Sequence, residues 1–104
     1  MIIITGSILA RPETFDELRR MSIEHTNRSR TEQGCEHHSV HIDAENGLRL
    51  VFLERWSDRV AVLAHFAEPN AREFVARARK LAAEAPAIYI YASEEIDVAA
   101  LAGS

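Results

Sequence analysis

Gly34 constrains the fold of this chain more than any other residue, because the pattern of the sequence changes there. Before it, side chains that could face a core recur every three or four positions, which is typical of one face of a helix. These are Phe15, Leu18, Ser22, His25 and Ser29. Glycine often ends a helix, since it adopts a positive φ without steric cost. We therefore expect a helix that opens at Pro12 and Glu13, runs to about Glu32 and stops at Gly34.

This helix stripe begins apolar and becomes polar towards its C-terminal end. A helix that only filled a core would stay apolar throughout. Two interpretations remain open: the last turns of the helix face a cavity, or they lie exposed to solvent.

The segment after Gly34 has the character of a β-hairpin. Residues 36–43 and 48–56 are predicted strands, and the stretch between them ends in Asn46 and Gly47. Asn-Gly between two strands is a strong hairpin signal, because both residues tolerate the positive φ of a tight turn.

Aliphatic and proline residues define the other elements. Residues 2–9 are predicted to form a first strand, and Ser57 or Asp58 caps a short helix. Pro69 begins another helix, which Pro86 ends, and residues 87–92 form the last strand. The order is β-α-β-β-α-β with the second helix broken at Pro69, which predicts a ferredoxin-like α+β fold: a four-stranded antiparallel sheet with helices on one face.

The length and charge of the chain limit what it can be. At 104 residues, with 47% hydrophobic residues, it is expected to form one domain over residues 1–104. Residues 94–104 are either an arm that reaches across a partner or a frayed tail, and we favour the arm. The net charge of −4 argues against nucleic-acid binding.

The chain carries one cysteine and lacks long apolar runs. A single cysteine cannot form an internal disulfide, so a cytoplasmic location is expected. The N-terminal residues lack the basic start of a signal peptide, and no stretch approaches the ~20 apolar residues that span a membrane.

Three short motifs point to a known family. They are S-R-x-E-x-G-C at residues 29–35, Glu54-x-Trp56, and His65 nine residues further on. In this order they resemble the antibiotic biosynthesis monooxygenase family, small cofactor-free oxygenases that include bacterial quinol monooxygenases. The resemblance implies a homodimer in which two sheets meet face to face as a dimeric α+β barrel. The sequence supports a dimer independently, because the outer strands carry apolar residues on both faces.

Glu54 and Trp56 are the first candidates for a functional site. They share one strand face with Leu50 and Phe52 by the period of two. The resemblance places the glutamate and tryptophan in the family's pocket region, where Trp56 and Phe52 would be walls for a flat substrate and Glu54 an orienting group. The alternative is a hydrogen-bonded buried glutamate beside a core tryptophan.

Two histidines are candidates for a general base. His65 matches the family histidine, and imidazole titrates near neutral pH. It could instead cap the carbonyl groups at the end of its helix. His25 lies at the polar end of the helix stripe, so it either faces the same cavity or lies exposed. His38, where many relatives have tyrosine, and Phe66 are further candidates for substrate contact.

Metal and nucleotide cofactors are not expected. His37 and His41 lie on one strand face roughly 13 Å apart at ~3.3 Å per residue, while His38 points the other way, so the three cannot share one ion within a strand. A site shared across a dimer is the alternative left open. Cys35 lacks signs of an activated thiolate. The sequence contains no G-x-G-x-x-G or Walker pattern.

The resemblance implies a monooxygenase that oxidises a small aromatic quinol or polyphenol with O2. A haem-degrading relative would carry an asparagine on the first strand, where this chain has Thr5, Gly6 and Ser7. A non-redox isomerase of phosphorylated sugars or a ligand-binding protein on the same fold is the remaining alternative.

Overall fold

A computed structural model describes residues 1–103 of the chain and confirms the predicted order of strands and helices. One short helix follows the last predicted strand. The elements are β1 (Ile2–Leu9), α1 (Phe15–Ser29), β2 (Cys35–Asp43), β3 (Asn46–Trp56), α2 (Arg59–Ala67), α3 (Pro69–Leu81), β4 (Ala87–Ala92) and α4 (Val98–Ala102). The strands form one antiparallel sheet in the order β2-β3-β1-β4, which is the ferredoxin-like α+β arrangement.

Helix α1 is shorter at both ends than the sequence predicts. Pro12 lies in a turn that the Thr14 hydroxyl closes by accepting from the Arg11 backbone N–H at 3.0 Å. At the other end, the backbone N–H groups of Thr31 and Glu32 donate to carbonyls only three residues earlier. The last turn is thus tighter than an α-helix, and Glu32 lies beyond the helix proper.

The predicted hairpin is confirmed, but its tight turn is not formed by Asn46 and Gly47. Asp43 pairs with Asn46, so Ala44 and Glu45 form the turn and Asn46 and Gly47 begin β3. The Asp43 carboxylate accepts from the Glu45 N–H at 2.9 Å, and the Asn46 side chain accepts from the Leu48 N–H at 3.1 Å. Within residues 1–103, only Gly34 has a positive φ, of 84°.

The apolar core is divided into two clusters on the helix side of the sheet. The larger one includes Leu18, Phe52 and Phe74, and the smaller one includes Ile4 and Trp56. Buried polar side chains lie between and beside them: Ser22, His25, Ser29, His38, Glu54 and His65. The polar end of the α1 stripe is therefore buried, so the interpretation that it lies exposed is wrong.

The opposite face of the sheet is partly apolar, and no helix of residues 1–103 buries its tyrosines. Tyr89 and Tyr91 of β4 lie on this face, as does Leu53 of β3 on the other side of β1, and each of the three is more than one-third exposed. Helix α4 lies in the predicted C-terminal arm and is exposed along its length. No helix within residues 1–103 is long and apolar enough to cross a membrane.

We predict that the chain forms a homodimer through this open sheet face, because water contacts these apolar side chains in the monomer. Sedimentation at micromolar concentration should give twice the mass of one chain, 11.7 kDa. Replacing Leu53 with lysine should shift the mass towards that of a monomer. A monomer at high concentration in the unmodified protein would contradict the prediction.

Candidate active site

A cavity of about 480 Å³ lies between the helix side of the sheet and helices α1, α2 and α3. Most of its wall is apolar, with Ile4, Ile8, Phe74 and Val75 among the lining residues. Five of the predicted site residues also lie on this wall, and they come from α1, β3 and α2: His25, Phe52, Glu54, His65 and Phe66. An apolar cavity with a few convergent polar groups is typical of a small-molecule site.

Trp56 and His38 were expected on the wall of the pocket, but neither lines the cavity. Both are buried, with exposed fractions of 0% and 1%. Trp56 lies behind the wall, donates from Nε1 to Glu54 Oε1 at 2.9 Å and packs on His65 with ring centroids 4.6 Å apart. Strand β3 ends at Trp56, and the indole packs with Ala61 and Val62 of α2 in the smaller core cluster. In this structure Trp56 positions groups that line the cavity.

Glu32 is a site residue that the sequence reasoning missed. Its Oε1 atom lies 2.8 Å from Nδ1 of His65. A carboxylate only accepts, so Nδ1 carries the proton, and in the neutral ring Nε2 is the acceptor. The tight turn after α1 brings Glu32 against α2. The signal was present, because Glu32 is the acidic residue of the S-R-x-E-x-G-C motif.

Three buried histidines meet beside the cavity. The ring centroids of His25 and His38 are 5.3 Å apart, those of His25 and His65 5.4 Å, and those of His38 and His65 5.9 Å. They come from α1, β2 and α2 and are each less than 10% exposed. The sequence singled out each residue but did not predict that they form a cluster.

The other two histidines of β2 lie on the opposite face of the sheet. His37 and His41 each place Nε2 2.8 Å from the hydroxyl of Ser39. The two Nε2 atoms therefore lie much closer together than the distance between the two backbone positions suggests. His38 points to the other side, as the alternation of a strand predicts.

Burial keeps two histidines of the cluster, His25 and His38, uncharged. It lowers the pKa of His25 to about 4 and that of His38 to about 3, with smaller contributions from the neighbouring histidines. Both imidazoles are therefore neutral at pH 7. Burial also raises the pKa of Glu54, although the hydrogen bond from Trp56 opposes this.

Cys35 lacks the surroundings of a nucleophile. It is half-buried, and burial together with the nearby carboxylates of Glu54 and Glu32 raises the pKa of its thiol. The thiol stays protonated at neutral pH, which makes it a poor nucleophile.

The arrangement can accept a proton from a substrate inside an apolar cavity. His65 offers its free Nε2, Glu32 holds the opposite nitrogen, and Glu54 adds a second carboxyl group on the wall. A carboxylate that orients an imidazole also stabilises the imidazolium formed when the ring takes a proton.

Solved structures resemble this fold closely. A protein of Deinococcus radiodurans, provisionally named an antibiotic biosynthesis monooxygenase, is 25% identical, with a TM-score of 0.88 over 94% of this chain and 98% of that one. Rv0793 of Mycobacterium tuberculosis is 23% identical, with a TM-score of 0.85 over 91% and 96% of the two chains. At this identity the second likeness concerns the fold alone.

Sequence comparison gives two further findings. The uncharacterized protein sll1783 of Synechocystis sp. is 32% identical over 90 residues, which are 86% of this chain. The chain spans 61% of the length of that relative. The family model described as antibiotic biosynthesis monooxygenase matches residues 1–77. This range includes helix α1, the hairpin of β2 and β3, and all seven predicted site residues. The chain belongs to the antibiotic biosynthesis monooxygenase family.

Proposed function

We propose that this protein is a cofactor-independent monooxygenase that oxidises a quinol or polyphenolic aromatic compound with O2. The observation that carries the proposal is the pair formed by Glu32 and His65, 2.8 Å apart, with His65 on the wall of an apolar cavity of about 480 Å³. Family membership supports a monooxygenase, and the pair supplies the base that such a reaction needs.

The first step is removal of a phenolic proton. Nε2 of His65 accepts the proton, and Glu32 stabilises the resulting imidazolium through Nδ1. Phe52 and Phe66 lie on the same wall and offer apolar faces to an aromatic ring. His25 stacks on Phe74 with ring centroids 4.3 Å apart, which holds its neutral ring at the edge of the cavity.

The phenolate then reacts with O2. The phenolate gives one electron to O2, and the resulting aryloxyl radical and superoxide join through a new bond between a ring carbon and oxygen. The peroxide takes back the proton from His65. Cleavage of the O–O bond with loss of the ring proton releases one water and leaves a quinone, so one O2 is used for each quinone and water formed. Glu54, held by Trp56, orients the substrate.

We predict that the protein, stripped of metals with a chelator, consumes O2 when it is given a naphthoquinol, in a ratio of one O2 to one product. The measurement is oxygen uptake with product mass, which should show one added oxygen atom from ¹⁸O2. The control is the same quinol without protein, because quinols oxidise slowly in air. Uptake no faster than this background, across several quinols and polyphenols, would contradict the proposal.

One observation favours a second candidate function. Arg72 and Arg79 of α3 are exposed at the edge of the cavity and could bind an anionic group. A non-redox isomerase or a binding protein for a small anionic ligand would use the same cavity without O2. The two functions differ in the uptake experiment, since only the oxygenase consumes O2.

A further inference from the structure

We propose that His25, His38 and His65 form a binding site for one divalent first-row transition ion, for which Zn²⁺ is the probe. Each side chain offers one ring nitrogen, and these three atoms all lie within 4.8 Å of one another. Neutral imidazole is the commonest protein ligand of such ions. The proposal concerns binding and goes beyond the proposed oxygenase reaction.

The strongest single observation for this site is the burial of His38 without hydrogen-bond partners. Its side chain is fully buried, and within residues 1–103 neither Nδ1 nor Nε2 has a hydrogen-bond partner. Nε2 lies 3.5 Å from Glu54 Oε1 without the alignment of a hydrogen bond. A buried imidazole without partners costs free energy, and a bound metal ion would satisfy one of its nitrogens.

A carboxylate that orients one of the three histidines is already in place. The Glu32 carboxylate holds Nδ1 of His65 at 2.8 Å, so Nε2 is the nitrogen left for a metal. Metal-binding histidines commonly donate their other N–H to a carboxylate, which fixes the ring and raises its basicity. Glu32 and Glu54 also place two carboxyl groups near the cluster, and their ionised forms would balance the charge of a divalent ion.

Metal binding requires the three histidine rings to move only a short distance. In a tetrahedral zinc site with Zn–N bonds of about 2.0–2.1 Å, neighbouring ligand nitrogens lie about 3.4 Å apart. The three rings must therefore close in from separations of up to 4.8 Å. His25 and His65 border the cavity, which gives the ion a path of entry. The fourth position would face Glu54 or the cavity, as in sites with three protein ligands and one open position.

Metal binding would remove Nε2 of His65 as a free base. We therefore expect Zn²⁺ to inhibit the proposed oxygenase, and this consequence alone rests on the proposed function. Binding is measured without substrate or O2, so failure of one proposal leaves the other unaffected.

The test is calorimetric titration of the untagged full chain with Zn²⁺. We expect one equivalent to bind per chain. In His25→Phe, a ring of similar shape can keep the stack on Phe74 while it removes one ligand. Outer-sphere carboxylates typically contribute about 10- to 100-fold in metal affinity, so Glu32→Gln should weaken binding about tenfold or more, and His25→Phe by more than that.

His41→Ala is the matched control, since His41 lies on the same strand as His38 but on the opposite face. It should bind Zn²⁺ like the unmodified chain. Three outcomes would overturn the proposal: no stoichiometric binding, binding unchanged in both His25→Phe and Glu32→Gln, or binding lost in His41→Ala. If His25→Phe fails to fold, Glu32→Gln decides, because Glu32 lies in a partly exposed turn.

Discussion

Replacing His65 with glutamine is expected to lower the rate of quinol oxidation by about 10²- to 10⁴-fold, the usual contribution of a general base. Glutamine keeps a polar side chain of comparable length, but its amide does not take up a proton near neutral pH. The measurement is kcat for O2 uptake with a naphthoquinol, and the circular dichroism spectrum should show that the variant is folded.

The control for this prediction is Cys35→Ala, which changes the other chemically reactive side chain near the cluster. Its thiol is protonated at neutral pH because burial raises its pKa, so the rate should stay close to that of the unmodified protein. The assignment of the base is wrong if Cys35→Ala abolishes oxidation while His65→Gln leaves it intact.

Gly34→Ala is expected to destabilise the fold by roughly 2–5 kcal/mol. Gly34 has a φ of 84°, a conformation that costs other residues about 1–2 kcal/mol. An added Cβ would also lie 2.5 Å from Ala61 Cβ and 2.7 Å from Ser57 Oγ, and such overpacking costs typically 1–3 kcal/mol. Urea denaturation should show a lower midpoint with an unchanged slope.

Gly47→Ala is the matched control for the glycine prediction. A Cβ at this position would meet no atom within 4 Å, and the residue has no positive φ. It should be neutral or stabilise the protein by up to about 1 kcal/mol, because alanine restricts the unfolded chain. Equal losses in the two variants would show that the turn at Gly34 does not have the proposed strain.

The effect of Gly34→Ala should extend to the site. The Gly34 carbonyl accepts from the Ser57 N–H at 2.8 Å, and the preceding turn holds Glu32 against His65. A shift of this turn moves the carboxylate that orients the imidazole. The fold and the candidate chemistry therefore share one short segment, residues 29–35.

The sequence by itself determined the order of the elements and much of the site. The change of period at Gly34, the cap at Asp58 and the proline at the start of α3 are local signals, because they act on backbone conformation within a few residues. The polar end of the α1 stripe also indicated that His25 lies where a helix that only fills a core would carry an apolar residue.

Only the tertiary structure decided which side chains meet. His25, His38 and His65 lie on three elements, and the pairing of β2 with β3, together with the packing of α1 on β2 and of α2 on β3, brings them together. The pattern along each element predicts which face a residue occupies, but it does not predict which side chains of other elements the residue contacts across the core. For the same reason the sequence left open whether Trp56 lines the pocket or lies in the core beside a hydrogen-bonded Glu54, which is what the structure shows. It also missed Glu32, whose partner lies 33 residues further along the chain.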